Sequence, residues 1–175
     1  MIETERLLLR PWREADAPAH TLIRADPRVA ATLGRPPSLA ESADVVARQN
    51  AILASTGRCF WAIELRDTGA FVGWCGIKPG KPPIEGETEI GWTLSPDLWG
   101  QGLAREAAAA TLAWAWANTA LPRIVAITSR GNRRSWGLME RLGMHRVADG
   151  DFDHPALAKD DPLRPHITYA IERPR

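Results

Sequence analysis

The sequence predicts an α/β fold, and three features carry that expectation. Short apolar runs occupy the first half, at 6–10, 60–65 and 71–77, the last two with aromatic and β-branched residues. An alanine-rich stretch from Gln101 to Asn118 repeats its apolar residues at helical spacing. From Glu87 to Ile171, strand and helix patterns alternate. At 175 residues the chain has the length of one domain, taken as 1–175, large enough to bury a real core.

In order, Arg6–Arg10 reads as a short strand with charged ends, and Glu14–Arg24 as a helix with Pro18 near its first turn. Arg35-Pro36-Pro37 is a loop. Ser38 with Glu41 is a capping box, starting a helix that runs to about Ser55 and ends at Gly57. Phe60–Leu65 and Phe71–Ile77 form a hairpin through Arg66-Asp67-Thr68-Gly69. Lys78–Gly86, with three prolines and two glycines, is a loop. Glu87–Leu94 is a strand. In the helix 101–118, Leu103, Ala107, Ala110, Trp114 and Ala117 form one stripe, widened by Ala109, Leu112, Ala113 and Trp116. Arg123–Thr128 is a buried strand and Asn132–Leu142 a short helix with Gly143 as its left-handed cap. Asp149–Pro165 is irregular, and His166–Ile171 is a final strand.

The segment Glu89 to Ala107 is the most informative. A strand passes into a helix through Trp99-Gly100-Gln101-Gly102-Leu103-Ala104. Small residues let backbone approach a ligand, and the free N–H groups of the first helical turn favour an anion. A phosphate is the natural guest. The dinucleotide fingerprint fails, because Arg105 stands at the third small position and no acid lies near Ala120–Arg123. The Gly-Lys-Ser/Thr of a Walker loop is absent. The alternative is a pair of glycines that only make a tight turn.

A second unit is Asn132-Arg133-Arg134-Ser135 followed by Leu142-Gly143-Met144. Ser135 shares a helical face with Leu138, Met139 and Leu142, so its hydroxyl needs a partner, either backbone or ligand. Asn132 also suits an N-cap on Arg134 or Ser135.

Together the two units resemble the GNAT superfamily of acyl-CoA-dependent N-acetyltransferases. Trp99-Gly-Gln-Gly-Leu-Ala-Arg-Glu-Ala107, Glu89-Ile-Gly-Trp-Thr-Leu-Ser-Pro96 and Glu3-Thr-Glu-Arg-Leu-Leu-Leu-Arg10 are similar to the Rim-type branch, which acetylates ribosomal-protein N-termini. That resemblance implies a mixed, mostly antiparallel central sheet of six to seven strands flanked by about four helices. It implies acetyl-CoA as co-substrate, with the pantetheine along Trp92–Leu94. The pyrophosphate falls on the loop Trp99, Gly100, Gln101, Gly102, Leu103, Ala104 and Arg105, with Asn132 beside the cofactor. It implies an amine acceptor, either a peptide N-terminus or a small molecule, and leaves a homodimer open. Trp99 stands where the wider family has Arg or Gln. Met139 stands where many members have a catalytic Tyr, and Met144 where a Phe is usual. The missing Tyr admits a second reading, a catalytically idle acyl-CoA-binding module.

For amine attack on a thioester, Glu89 is the base candidate and Ser135 the donor to the leaving sulfur; Glu87 is the rival carboxylate. The acceptor is expected on the loops 24–39, 78–86 and 149–165. Net charge of +1 argues against nucleic acid. No run nears the roughly 18 apolar residues of a membrane span, and no secretory pattern opens the chain, so a cytoplasmic location is expected. Cys59 and Cys75 read as buried free thiols, and no metal is expected from them. His20, His145, His154 and His166 are scattered with no metal-ligand spacing, and His166 is a weaker base candidate.

Overall fold

The computed structural model describes residues 1–174. Its strands are β1 (Ile2–Glu3), β2 (Leu7–Arg10), β3 (Phe60–Leu65), β4 (Phe71–Pro79), β5 (Thr88–Leu94), β6 (Arg123–Ser129), β7 (His145–Arg146), β8 (Phe152–Asp153) and β9 (Pro165–Glu172). The helices are α1 (Ala17–Ala25), α2 (Pro27–Leu33), α3 (Leu39–Thr56), α4 (Leu103–Asn118) and α5 (Arg133–Arg141). One sheet runs in the order β1-β2-β3-β4-β5-β6-β9-β7, with β8 also paired to β9. Every pairing is antiparallel except β5 with β6.

The mixed, mostly antiparallel architecture is the expected one, but among the described residues the sheet has nine strands rather than six to seven. The additions are β1, β7 and β8, each two residues long and too short for periodicity to register. Among the described residues there are five α-helices where about four were expected. The extra one, α2, lies where a loop was expected. Asp26 caps it by accepting from the Arg28 amide at 2.8 Å, and Pro27 fills its first position. At Ser38 the capping box forms in both directions, and Gly57 ends α3 in the left-handed region with φ 72°.

The two sheet faces are covered differently. On one, Cys75, Ile77, Ile90, Ile124, Ala126 and Ile167 pack against Leu103, Ala107, Ala108, Leu112 and Ala115 of α4. The α4 stripe is rotated from the expected one. Ala108, Thr111 and Ala115 are buried while Ala109, Ala113 and Ala117 are exposed. Alanine on every side leaves the sequence little to choose between faces. Thr111 lies 3.6 Å from the Cys75 sulfur, and burial pushes the Cys59 and Cys75 thiols up to about 12. On the opposite face Ala17 of α1 and Val46 of α3 pack with Trp12, Ala62, Phe71 and Trp74.

The N-terminal segment is fastened to α4 through one carboxylate. Glu106 accepts from Thr4 Oγ1 at 2.6 Å, the Arg6 amide at 2.9 Å and Arg6 Nε at 2.7 Å. Burial alone raises the Glu106 pKa, but the bonds from Thr4 and Arg6 outweigh it and the net shift is downward. A depressed folded-state pKa means stability present above the unfolded value and lost as pH falls through the folded one. Glu106→Ala should therefore lower stability by about 1–3 kcal/mol at neutral pH, from three orphaned donors. The gap to the native protein should narrow on acidification, measured by urea melts between pH 7 and pH 3; a constant gap would refute the account.

Candidate active site

The parallel pair β5–β6 registers only at Glu89↔Val125. Beyond that point the strands part, and the edge of Ile90–Leu94 that faces β6 has no strand partner. On its other edge β5 is paired with β4 over its whole length, from Thr88↔Pro79 to Leu94↔Gly73. The result is a wedge-shaped gap within the sheet, lined by backbone that no strand pairs, where the Trp92 and Leu94 carbonyls accept from the Thr93 hydroxyl and the Trp99 indole. Extended backbone with free N–H and C=O groups suits an extended chain carrying amides of its own. The Trp92 and Leu94 side chains turn toward the α4 face, leaving their backbone to the gap.

At the end of β5 the chain turns through Pro96–Leu98 into the glycine loop. Trp99 does not point into solvent. Its indole Nε1 donates to the Leu94 carbonyl at 2.9 Å, tying the loop back to the strand. Gly100 (φ 80°) and Gly102 (φ 79°) are both in the left-handed region, which explains glycine at these two places. A Cβ on Gly100 would meet nothing within 4 Å, and one on Gly102 only the Arg6 side chain. α4 starts at Leu103, two residues later than expected, and Gly102 is its N-cap with no side-chain cap bond. The Glu106 amide bonds Gly102 O at 3.0 Å, whereas among the described residues the amides of Gln101 to Arg105 meet no protein acceptor. An uncapped helix start with consecutive free amides has the chemistry that favours an anion. Arg6 Nη1 donates to Gln101 O at 3.0 Å and steadies the loop from below.

α5 brings up the second unit. Asn132 caps it, Oδ1 accepting from the Ser135 amide at 3.3 Å. Ser135 is partly buried, and among the described residues its hydroxyl has no hydrogen-bond partner, so the local backbone bond considered for it does not form. Arg134 lies over the Trp99 ring at 4.5 Å, with Arg28 on the same ring at 6.0 Å. The two motifs therefore touch through a cation–π contact. Sequence spacing held no sign of Arg134 as a site residue, beyond its place between Asn132 and Ser135. Asn132→Asp should keep the cap while adding negative charge beside the loop. The expected result is weaker acetyl-CoA binding at an unchanged melting temperature; an unchanged affinity would leave Asn132 a cap only.

Glu89 lies at the point where the strands part. Its Oε2 pairs with Lys78 Nζ at 2.5 Å, and Lys78 in turn stands 4.8 Å over the Phe60 ring. Phe60 covers Gly91, where a Cβ would lie 2.8 Å from the ring. Lys78 and Phe60 were not foreseen as site residues. Glu87 precedes β5 and faces Arg123 Nε at 3.4 Å, away from the gap. Met139, at the position of the absent Tyr, is buried in the α4-side core. The sole tyrosine, Tyr169, bonds Glu140. No group of His, Cys, Asp and Glu suited to a metal forms among the described residues, and no helix there is long and apolar enough to cross a membrane.

The architecture finds close counterparts. The family described as an acetyltransferase (GNAT) domain matches residues 6–145. The uncharacterised protein YkkB of Bacillus subtilis is 37% identical over 51% of this chain, and the match spans about half of that relative, 52%. The uncharacterised N-acetyltransferase YoaA of Bacillus subtilis is 24% identical over 100% of this chain and 98% of its own. Among solved structures, an acetyltransferase from Agrobacterium tumefaciens superposes with a TM-score of 0.78 at 33% identity, covering 98% of this chain and 93% of that one. RimL, a ribosomal L7/L12 α-N-protein acetyltransferase solved with coenzyme A, shares the fold at 18% identity and a TM-score of 0.79, over 97% and 95% of the two chains. With the domain match spanning most of its length, the chain belongs to the GNAT acetyltransferase family, whose fold binds acetyl-CoA and supports acetyl transfer.

Proposed function

We propose that the protein transfers the acetyl group of acetyl-CoA to a primary amine by direct attack. The observation that carries this reading is the pairing of an open strand edge at Ile90–Leu94 with the uncapped start of α4. The first suits the amide-bearing pantetheine and the second the pyrophosphate. In this reading the amides of Gln101–Arg105 hold the pyrophosphate, Trp99, Gly100, Gly102, Leu103 and Ala104 shape the loop, and Asn132 borders the cofactor. A backbone N–H from β5 meets the thioester carbonyl and steadies the oxyanion.

Glu89 is the carboxylate that promotes loss of the amine's proton, and the unpartnered Ser135 hydroxyl donates to the departing sulfur. A thiol leaves far more readily than an amine, so one hydroxyl in place of the absent Tyr is adequate help. An α-amine, with pKa near 8, is about a tenth neutral at pH 7, whereas a lysine amine is neutral only about 0.04% of the time. The modest acid–base equipment therefore favours an α-amine, of a peptide N-terminus or a small molecule. The segments 78–86 and 149–165, on the Glu89 side of the gap, are the acceptor-facing loops in this reading.

Release of free thiol from acetyl-CoA, measured across a panel of peptides with different N-terminal residues and of small amines, tests it. Acetyl-CoA binding without turnover under any acceptor would instead support an idle acyl-CoA-binding module.

A further inference from the structure

The face of the sheet that carries Glu89 also carries His166, the weaker base candidate of the sequence, inside a cluster of rings that its spacing did not reveal. Glu89 pairs with Val125, and Ser129, four residues along β6, pairs with His166 of β9. Paired residues point to one side of a sheet, and residues two or four apart on a strand do so too. Glu89 and His166 therefore share the face opposite α4, across the gap where β5 leaves β6. The segment after β8 folds onto the same place. Phe152 pairs with His166 and stacks on it, rings 5.5 Å apart and inclined by 26°. His154 adds a third ring, 4.9 Å from His166. This cluster gives the 149–165 segment a definite structure where only an irregular loop was expected.

The orientation of the His166 ring is set by a group that can only accept. Nδ1 lies 3.2 Å from the Arg164 carbonyl oxygen. A carbonyl has no proton to give, so Nδ1 carries the hydrogen and, in the neutral ring, the lone pair is on Nε2. A base held by a third group in this way is the arrangement general-base chemistry requires.

We propose that His166 Nε2 is the first acceptor of the amine's proton, with the Glu89 carboxylate offsetting the positive charge that forms. The proposal rests on the amine-acetylation reading and refines the part given there to Glu89. The step balances. The acceptor ammonium gives one proton to Nε2, leaving a neutral amine and an imidazolium. The amine nitrogen bonds to the thioester carbon, the carbon–sulfur bond breaks, and the sulfur leaves with the electron pair. The remaining excess proton on nitrogen passes to that sulfur, assisted by Ser135, and the imidazolium returns its proton to water.

Availability favours His166, whose Nε2 lone pair is free, and the ordinary acidities point the same way. Transfer from an α-ammonium to an ordinary carboxylate crosses about 4 pKa units and to an ordinary imidazole about 1.5, a gap that the downward shift of His166 widens. Glu89 is moreover engaged by Lys78 at 2.5 Å. Burial lowers the His166 pKa most, and His154 lowers it further, while the Arg164 carbonyl, a backbone bond with Leu163 and the Glu89 carboxylate raise it; the net shift is downward. At neutral pH the ring is therefore neutral and ready to accept. The remaining charged groups around it are already paired, Arg164 with Asp153 at 3.2 Å, and Arg130 and Arg146 with Asp151.

The test combines kinetics with a spectroscopic reading of the ring. For His166→Gln, checked for an unchanged melt, kcat/KM should fall about 10²-fold at pH 7. The acidic limb of the pH–rate profile due to the imidazole should vanish, and the deficit should shrink as pH approaches the pKa of the amine. In the native protein at pH 7.5, long-range ¹H–¹⁵N spectra should show His166 protonated on Nδ1 and bare on Nε2. A native enzyme that turns over while His166→Gln keeps the profile and loses less than about threefold overturns the assignment of His166 alone, as does an Nε2-protonated ring. Absence of turnover in the native protein across the amine panel overturns this proposal together with the acetylation reading beneath it.

Discussion

Gly102→Val is expected to abolish most acetyl-CoA affinity while the protein stays folded. Gly102 is the N-cap of α4 at φ 79°, directly before the free amides of the first turn. A Cβ there would point into open space with only Arg6 Nη2 nearby, at 3.6 Å, so the core is not disturbed. The cost to folding is confined to backbone strain, of order 1–3 kcal/mol for a residue forced into the left-handed region. At about 2–4 °C per kcal/mol, that lowers the melting temperature by several degrees. The cost to binding is larger. In the proposed site the branched side chain stands where the pyrophosphate comes close, and relief of the strain would swing the amides off target. Losing one or two charge-assisted bonds, each about 1.5–3 kcal/mol, weakens binding by about 10- to 10⁴-fold. Titration calorimetry measures the constant directly. Thermal shift gives a second reading, since ligand at about 100 times its dissociation constant adds about 2.7 kcal/mol to the native protein. Undiminished affinity in a folded Gly102→Val protein would remove the loop from the cofactor site. Gly100→Ala is the informative companion, because Gly100 has the same backbone sign and open surroundings but lies two residues before the helix.

The parts of this molecule that were legible beforehand are those whose local chemistry repeats or punctuates. Ser38 with Glu41, Gly57 and Gly143 announced helix ends, and the caps are there. The long strands, up to nine residues in β4, carried enough apolar residues to declare themselves. What escaped were contacts made across long sequence distances. Arg6 reaches Gln101, Arg134 reaches Trp99, and Lys78 reaches Glu89 because the sheet order brings them together. Trp99 is the instructive case. As a sequence letter it was a departure from the wider family pattern. In the fold it ties Leu94 O to the loop and gives Arg134 a surface to lie on. α2 shows the reverse failure. The Asp26-Pro27 start signal was present, but seven residues are too few for a helical period to stand out against the surrounding prolines. The face chosen by α4 was out of reach for a different reason, since alanines surround the helix and only its partner sheet decides which of them are buried.

Glu89→Gln should depress kcat/KM most at low pH and least at high pH. The sign follows from the substrate. At pH 6 an α-amine of pKa near 8 is about 1% neutral, so nearly every turnover must first remove a proton. At pH 9 most of the amine is already neutral and nothing needs to be removed. A carboxylate that promotes deprotonation, whether by taking the proton itself or by holding it on His166, therefore matters in the first regime and not in the second. The expected loss is about 10²-fold at pH 6, within the ordinary range for acid–base groups, falling below about tenfold at pH 9. Lys78 requires a control. Glu89 and Lys78 are only 16% and 13% exposed, so the neutral glutamine leaves an ammonium without its counter-charge beside Phe60. The double change Lys78→Gln with Glu89→Gln removes that stray charge, and it should restore stability without restoring the low-pH rate. Ser135→Ala supplies the contrast. In the proposed mechanism its hydroxyl acts on the sulfur, after the amine has lost its first proton, so its loss should lower kcat by a similar factor at every pH with acetyl-CoA affinity little changed. A Glu89→Gln enzyme whose deficit is flat from pH 6 to pH 9 would remove Glu89 from proton transfer and leave it a partner for Lys78. A deficit that grows toward low pH in Glu89→Gln but stays level in Ser135→Ala separates proton removal from thiol departure within one active site.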